Sequence, residues 1–320
     1  MRNLSNGAKP TAKKFIKDKY TSAKKKKDWQ YFSMCVPALI KIAIFSYLPM
    51  IYVYLAFVKY IPKKGLFGSE FIGLDNFKFF FKSLDFSRIF TNSIVYNLLF
   101  IFVGLIVAVF LALMLFEINN KTGLKFLQTS YFLPYFISWI LVSYIVQALL
   151  DSNGMITLAA NKIFNLDINF YTTPTAWYTI IVIVNVWKGA GVNAIIYYAT
   201  LLNCDASLFE AAEIDGANSF QKMWHISIPF LRSMICVTTI MSGANILRTD
   251  LGLFMFVPKE SASLLSAVDT IDYYIWRTIR VSGNFSVGAA VGLVQGVVGL
   301  FLTIASNIIV RKIDPEAALY

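Results

Sequence analysis

Residues 205–229 read DASLFEAAEIDGANSFQKMWHISIP and lie between two long apolar segments of the chain. Ser207 and Glu210 have the spacing of a capping box, in which a hydroxyl and a carboxylate each accept a hydrogen bond from a backbone amide at a helix start. Gly216 suits the left-handed conformation that ends a helix, and Pro229 suits the first turn of the next helix. The pattern therefore predicts a compact element of two short helices joined by a bend.

Apolar segments dominate the rest of the sequence. Hydrophobic residues make up 57% of the 320 and charged residues 15%, whereas about 25% of the residues in a soluble domain are charged. A hydrocarbon core of about 30 Å requires about 20 apolar residues per helix. Six segments reach that length, roughly Tyr31–Val58, Ile89–Phe116, Phe126–Leu150, Ala176–Leu202, Ser233–Leu251 and Phe285–Val310. The sequence therefore predicts an all-α, polytopic membrane helix bundle with six transmembrane helices, in the cell membrane.

The basic residues predict the orientation of this bundle. Ten Lys or Arg residues and one acid lie between Arg2 and Lys27, within an arm over residues 1–28. By the positive-inside rule the arm is cytoplasmic, and six crossings return the carboxyl terminus to the cytoplasm. The transmembrane domain then covers residues 29–320, with a cytoplasmic loop at 203–232. Basic residues near 59–88 oppose this orientation, but the arm is expected to dominate and to contact anionic membrane lipid.

Several classes of function are disfavoured by the sequence. Outside the arm the charges nearly balance, so no basic face is available for a nucleic acid. Neither disulfide spacing nor metal-ligand spacing is found among Cys35, Cys204, Cys236 and His225. A phosphate-binding glycine loop, an aspartate-rich pair and a metalloprotease motif are also missing. We therefore expect neither an enzyme nor a metal site.

The order E-A-A, three residues, G, nine residues, I-x-x-P resembles the permease signature of binding-protein-dependent ABC importers. The matching residues are Glu210, Ala211, Ala212, Gly216, Ile226 and Pro229. The resemblance implies a type I importer permease whose loop supplies coupling helices that seat in a groove on an ATP-binding subunit. Glu210 and Asp215 would then reach donors on that subunit, and Phe209 and Ile214 would supply apolar anchors. A role for Glu210 as a helix cap alone is the alternative.

Other segments are similar to the carbohydrate-uptake permeases, often labelled the lipoprotein-associated or polysaccharide group. They are Pro37–Leu39, Phe45–Met50, Gly73–Phe77, Trp187–Gly189, Asp250–Phe254 and Asp269–Tyr274. The similarity covers nearly the whole chain from about Trp29. It implies an oligosaccharide importer that contains a second homologous permease, a dimer of ATP-binding subunits and an extracellular substrate-binding lipoprotein. ATP and Mg²⁺ would bind the ATPase subunits, and no cofactor is expected on this chain.

Uncharged polar side chains within the apolar segments are the candidates for a substrate path. A sugar presents hydroxyl groups beside apolar C–H faces, so amides, hydroxyls and aromatic rings suit it. The candidates are Tyr144, Gln147, Asn185, Trp187, Asn193, Tyr197, Tyr198, Asn245 and Gln295. Tyrosine and tryptophan also mark membrane interfaces, and amides also link helices, so structural roles are equally open.

Ionisable residues within these segments are few: Lys41, Lys188, Arg248 and Asp250. Each requires a partner or a route to the membrane interface, because an unpaired charge is costly at the bilayer centre. Lys188 and Arg248 are long enough to snorkel towards a boundary. Local pairing between Arg248 and Asp250 is the other interpretation.

The sequence is compatible with two alternative functions. The first is a permease of the same machinery with another cargo, such as a polyol phosphate, a peptide or an inorganic anion. The second is a secondary carrier or channel that works without an ATPase. Carriers commonly contain paired repeats with broken helices, and we expect neither feature in the six segments.

Overall fold

The computed structural model describes residue 29, residues 31–164 and residues 169–313. The predicted arm over residues 1–28 lies outside this part of the chain. Within it, six helical segments are long and apolar enough to cross a membrane. They are Tyr31–Phe57, Asp85–Phe116, Trp139–Ile163, Pro174–Leu201, Ser219–Gly243 and Phe285–Lys312. The predicted all-α fold with six membrane-spanning segments is confirmed, although two of the segments differ from the predicted ones.

The chain divides into two compact units, with the boundary between Tyr54 and Leu55. The helix α1 (Tyr31–Phe57) supplies the described part of the first unit and contains a π-helical turn at Ala43–Tyr47 and a 3₁₀ stretch at Leu48–Phe57. The second unit contains a short antiparallel pair, β1 (Val58–Lys59) with β2 (Glu70–Phe71). Its helices are α2 (Asp75–Lys82), α3 (Asp85–Phe116), α4 (Lys121–Phe136), α5 (Trp139–Leu150), α6 (Met155–Phe164), α7 (Pro174–Leu201), α8 (Ala206–Ile214), α9 (Ser219–Lys222), α10 (Ile228–Gly243), α11 (Leu251–Phe256), α12 (Leu265–Val268), α13 (Ile271–Arg280) and α14 (Phe285–Ile313).

The core of the second unit lies between α3 and α7, which pack along much of their length. Tyr96, Trp177 and Phe254 are fully buried in its main cluster. A second cluster surrounds Leu201, where α3 and α7 end. We call this the α8 end of the bundle and the opposite end, where α3 and α7 begin, the α13 end. Helices that are apolar on several sides are expected at such a buried position.

The third predicted segment, Phe126–Leu150, is not one continuous helix. α4 ends at Phe136 and α5 begins at Trp139, with Ile137 and Ser138 in extended conformations. The Ser138 hydroxyl caps α5 by accepting from the backbone N–H of Leu141. Pro134 has no N–H with which to extend the hydrogen bonds of α4. The prediction of one unbroken helix over Phe126–Leu150 is therefore wrong. The apolar window long enough for a span covers Trp139–Ile163, which contains α5, a turn and most of α6.

The fifth predicted segment, Ser233–Leu251, is also misplaced. A helical stretch runs from Ser219 through a π-helical turn at Met223–Ser227 into α10, which ends at Gly243. Residues 219–232 of the predicted loop 203–232 are therefore helical and lead into the fifth span. Leu251 begins α11 instead, because Asp250 caps that helix by accepting from Gly252 N at 2.9 Å. The turn contains the polar residues Arg248, Thr249 and Asp250, which the sequence analysis had placed inside the fifth segment.

Candidate functional site

The α8 end carries the folded element that the sequence predicts. The helix α8 is capped by Asp205, whose Oδ1 accepts from the backbone N–H of Ser207 at 3.0 Å, and this bond lowers the pKa of Asp205. The predicted capping box of Ser207 and Glu210 is wrong, because Ser207 already lies in the first turn of α8. A capping box does open α9, where Asn218 and Gln221 accept from each other's backbone N–H at 2.9 and 2.8 Å.

Gly216 ends α8 as predicted. Its φ of 79° is in the left-handed region, where a residue without Cβ is favoured. Gly216 N donates to Glu213 O at 3.0 Å and Ala217 N donates to Ala212 O at 2.9 Å. This pair of bonds is a Schellman motif, so the bend between α8 and α9 is set by local chemistry.

The surface of this element is exposed and partly apolar. Glu210 and Ala211 are exposed. Among the described residues, the Glu210 carboxylate has no hydrogen-bond or ion-pair partner. Ile214 is 88% exposed and Phe220 is 72% exposed, and the Phe220 ring stacks on Trp224 at a centroid distance of 6.4 Å. Such side chains suit the contact surface of a partner.

Phe209, the other predicted anchor, has a different position. It is half-buried, and its ring contacts Phe116 at a centroid distance of 5.4 Å. Phe116 is the last residue of α3. Phe209 therefore attaches α8 to a membrane-spanning helix and is not available as an exposed anchor.

A cavity of about 340 Å³ lies beside the bend. Four predicted residues line it: Ala212, Asp215, Gly216 and Ile226. Lys222 also lines it and holds Glu213 in an ion pair of 2.7 Å, which joins α9 to α8. The remaining predicted residue, Pro229, is exposed in the first turn of α10. The element thus presents a shaped surface with both charged and apolar groups.

A second cavity, the central cavity, lies between α3, α7 and α10 and has a volume of about 350 Å³. Four of the predicted path residues line it: Asn185, Asn193, Tyr197 and Asn245. The first three are spaced at multiples of four along α7 and therefore share one helix face. Among the described residues, the amides of Asn185 and Asn193 have no hydrogen-bond partner. Neutral amides of this kind can bind the hydroxyl groups of a ligand.

Other residues of the central cavity were not predicted from the sequence. Asn97 lines it from α3, and Thr238 and Ser242 line it from α10. Thr238 shares a hydrogen bond of 2.7 Å with the Tyr197 hydroxyl. Asn97 could have been recognised as a candidate from the sequence, since it is an amide within an apolar helix. Thr238 and Ser242 could not, because hydroxyl side chains commonly bond to the carbonyls of their own helix.

The other predicted path residues lie elsewhere. Tyr144, which is exposed, and Gln147, which is half-buried, lie on α5 and contact Lys259. Tyr144 does so through its ring and Gln147 by a hydrogen bond. Trp187 is 45% exposed and lines no part of the central cavity, and Tyr198 is buried in the core at the α8 end. Gln295 lines a smaller cavity of about 180 Å³ and donates to Asp272 Oδ1 at 3.1 Å.

No group of three His, Cys, Asp or Glu side chains is placed to hold a metal ion in the described ranges. The lining of the central cavity carries no charged side chain. Its chemistry is therefore that of hydrogen bonding and apolar contact.

Comparison with known proteins identifies a family and several relatives. The family described as "Binding-protein-dependent transport system inner membrane component" matches residues 101–318. Protein LplB of Bacillus subtilis is 33% identical over 298 residues, which cover 93% of each chain. The polygalacturonan/rhamnogalacturonan transport system permease protein YteP of the same organism is 31% identical, over 89% of this chain and 88% of that one.

A solved transporter has the same fold. The crystal structure of a bacterial ABC transporter involved in the import of the acidic polysaccharide alginate matches with a TM-score of 0.81 and 28% identity, over 92% of this chain and 99% of that chain. The alginate ABC transporter in complex with an alginate pentasaccharide-bound periplasmic protein matches with a TM-score of 0.79 and 29% identity, over 90% and 96%.

Proposed function

The chain belongs to the family of binding-protein-dependent transport system inner membrane components, and we propose that it is a permease subunit of an ATP-driven oligosaccharide importer. It is a multi-pass membrane protein. The observation that carries the proposal is the folded α8–α9 element, which presents Glu210 and exposed apolar side chains at one end of the bundle. This element would bind an ATPase subunit and transmit its movements to the helices.

The mechanism is alternating access. A substrate-binding lipoprotein delivers the sugar at the α13 end, and ATP closes a dimer of ATPase subunits at the α8 end. Because Phe209 contacts Phe116, a displacement of α8 acts directly on α3, which lines the central cavity. The cavity would open outwards, accept the sugar, and return when ATP is hydrolysed. A second homologous permease would complete the path.

The proposed cargo follows from the central cavity and from the relatives. Its lining combines amides, hydroxyls and a tyrosine without charged groups, which suits weak and reversible contacts with sugar hydroxyls. The relatives whose names state a substrate include a permease for polygalacturonan/rhamnogalacturonan and an importer of alginate. We therefore assign oligosaccharides as the cargo class.

The proposed orientation places the α8 end of the bundle in the cytoplasm, where the ATPase is. Six spans then place both termini in the cytoplasm as well. The chain is a non-catalytic subunit that binds no cofactor itself, and ATP and Mg²⁺ bind its ATPase partner. The lipid of the cell membrane surrounds it.

The coupling role is tested by Glu210→Lys in the assembled complex. The tagged chain is purified in detergent from its own cells, and the co-eluting proteins are identified. We expect a second permease and an ATP-binding subunit with the wild-type chain. With Glu210→Lys we expect the second permease to remain while the ATP-binding subunit and sugar-stimulated ATPase activity decrease at least several-fold, because a contact group of α8 has reversed its charge.

Asn119→Lys is the control for this experiment. Asn119 is exposed in the turn between α3 and α4, also at the α8 end, and it lies outside the α8–α9 element. This variant should retain the ATP-binding subunit. Equal retention of that subunit and equal sugar uptake by wild type and Glu210→Lys would contradict the coupling role.

Two other functions remain as alternatives. A permease of the same machinery could carry a polyol phosphate or a peptide, and uptake competition with labelled solutes distinguishes these cargoes from oligosaccharides. A secondary carrier is the other alternative, and the break between α4 and α5 is a feature that such carriers share. Transport by the purified chain alone in liposomes would favour the carrier.

A further inference from the structure

Arg248 lies next to the central cavity, in the turn that follows α10. It lines the smaller cavity of about 180 Å³ together with Gln295, Gly299 and Thr303 of α14. Asn245 lines both cavities, so they are adjacent. Because an α-helix rises about 1.5 Å per residue, Gly299 lies about 20 Å along the axis of α14 from the first residue of that helix. Arg248 therefore faces the middle of a membrane-spanning helix.

The carboxylates around Arg248 are engaged by other donors. Asp250 accepts from Trp139 Nε1 at 2.7 Å and from Gly252 N at 2.9 Å. Asp272 Oδ2 accepts from the backbone N–H and the hydroxyl of Thr249 at 2.6 and 3.0 Å. Arg248 forms no ion pair in the part of the chain that the structure describes. The interpretation in which Arg248 pairs with Asp250 is therefore wrong.

Lys188, the other basic residue at the level of the cavities, is satisfied within the chain. Its ammonium donates to the carbonyl oxygens of Pro134 and Tyr135 at 3.1 and 2.7 Å. Arg248 has no comparable set of acceptors, and its side chain is exposed. A charged residue within a membrane protein is costly unless it faces a partner charge or a substrate path. The position of Arg248 beside two cavities indicates that it faces a substrate path.

We propose that Arg248 binds a carboxylate of the transported oligosaccharide, so that the cargo is an acidic glycan built from uronic acids. The inference rests on the proposed function and specifies its substrate. A guanidinium presents parallel N–H donors that match the two oxygens of a carboxylate. The neutral amides of Asn185 and Asn193 bind hydroxyl groups of the same molecule in the adjacent central cavity. Arg248 thereby selects acidic sugars over neutral sugars of the same size.

The test is uptake by membrane vesicles that contain the complete importer with its binding protein. The probes are trimers of galacturonate, mannuronate and glucuronate, each beside the neutral hexose trimer of the same linkage, and glycerol 3-phosphate. We expect the wild-type importer to take up an acidic trimer and not its neutral counterpart. Arg248→Gln should reduce that uptake at limiting substrate on the order of tenfold or more, because a charge-assisted hydrogen bond is lost.

Two further variants control for the charge. Arg248→Lys keeps the positive charge without the planar donors and should retain part of the uptake. Arg311→Gln removes an exposed arginine from the last turn of α14, outside both cavities, and should leave uptake unchanged. Co-purification of the second permease is measured for every variant.

Several results would overturn the proposal. Uptake of neutral trimers alone would overturn the role of Arg248 and leave the oligosaccharide permease intact. Uptake of glycerol 3-phosphate that depends on Arg248 would identify the anion as a phosphate. Loss of the second permease in Arg248→Gln, or an equal reduction for every probe, would assign Arg248 to a partner carboxylate or lipid headgroup. No uptake of any trimer by an intact assembly would refute the proposed function itself.

Discussion

Gly191 shows how a single residue fixes the distance between two helices. A Cβ atom at this position would lie 1.9 Å from the carbonyl oxygen of Tyr131 and 2.6 Å from its carbonyl carbon. The backbones of α7 and α4 therefore touch at Gly191. Two residues earlier, a Cβ at Gly189 would meet no atom within 4 Å. Small residues allow this kind of close approach between membrane helices.

We predict opposite effects for the two alanine substitutions. Gly191→Ala should push α4 away from α7 and lower the free energy of unfolding by about 1–3 kcal/mol, as in other overpacked sites. Gly189→Ala should be neutral or stabilising by up to about 1 kcal/mol, because alanine favours the helix. Thermal inactivation of the detergent-purified complex, followed by size-exclusion chromatography, measures both. Equal inactivation midpoints would contradict the close approach at Gly191.

At the scale of elements, the break between α4 and α5 depends on a side chain from α7. The last carbonyl groups of a helix have no partner within it and carry a partial negative charge. Lys188 of α7 donates to three such acceptors, the carbonyls of Pro134, Tyr135 and Ile137. Its ammonium also lies 5.2 Å from the ring centroid of Trp139, the first residue of α5. One lysine thus satisfies both sides of the break.

Lys188→Met is expected to destabilise this arrangement. Methionine preserves the apolar stem but removes the charged donor, so the loss should be about 1.5–3 kcal/mol, the usual range for hydrogen bonds to charged groups. Lys125→Met is the matched control, since Lys125 is exposed on α4 and forms no bond to the break. Thermal inactivation of the purified complex measures both variants. Inactivation of the two at the same temperature would argue against a capping role for Lys188.

At the scale of the whole molecule, Asp269 joins α13 and the segment before it to the distant helix α3. Its carboxylate is fully buried and accepts from Arg277 of α13 at 2.6 Å and from Arg88 of α3 at 3.3 Å. Burial raises the pKa of Asp269, and the two guanidinium groups oppose that rise. In the same region the Tyr96 hydroxyl donates to Ala267 O at 2.9 Å. These contacts hold the segment before α13 on α3.

We predict that Asp269→Ala costs about 1.5–3 kcal/mol, the range for hydrogen bonds to charged groups, because Arg277 loses its carboxylate partner while Arg88 keeps its ion pair with Asp85. Asp75→Ala is the control, since Asp75 pairs with Lys78 at 2.9 Å on an exposed surface, where an ion pair contributes about 0–1 kcal/mol. The midpoint of thermal inactivation should fall sharply for the first variant and little for the second. A small effect of Asp269→Ala would mean that the surrounding packing alone holds this end together.

The sequence by itself determined the features that depend on neighbouring residues. The length of the apolar segments is a local property, and it specified six spans. The bend of the α8–α9 element could be predicted because Gly216 supplies the left-handed residue that a Schellman motif requires. Four of the predicted path residues line the central cavity. Three of them are on α7, where their spacing places them on one helix face.

Only the tertiary structure decided the features that depend on contacts between distant residues. The carbonyl groups at the break after α4 are bound by Lys188, which is 51 residues from Ile137 in the chain. Asp250 is bound by Trp139, 111 residues away, and this contact is what leaves Arg248 without the partner that the sequence suggested. A hydrogen bond or an ion pair forms between groups that lie close together in the folded protein. The number of residues between two groups in the chain does not predict their distance in space.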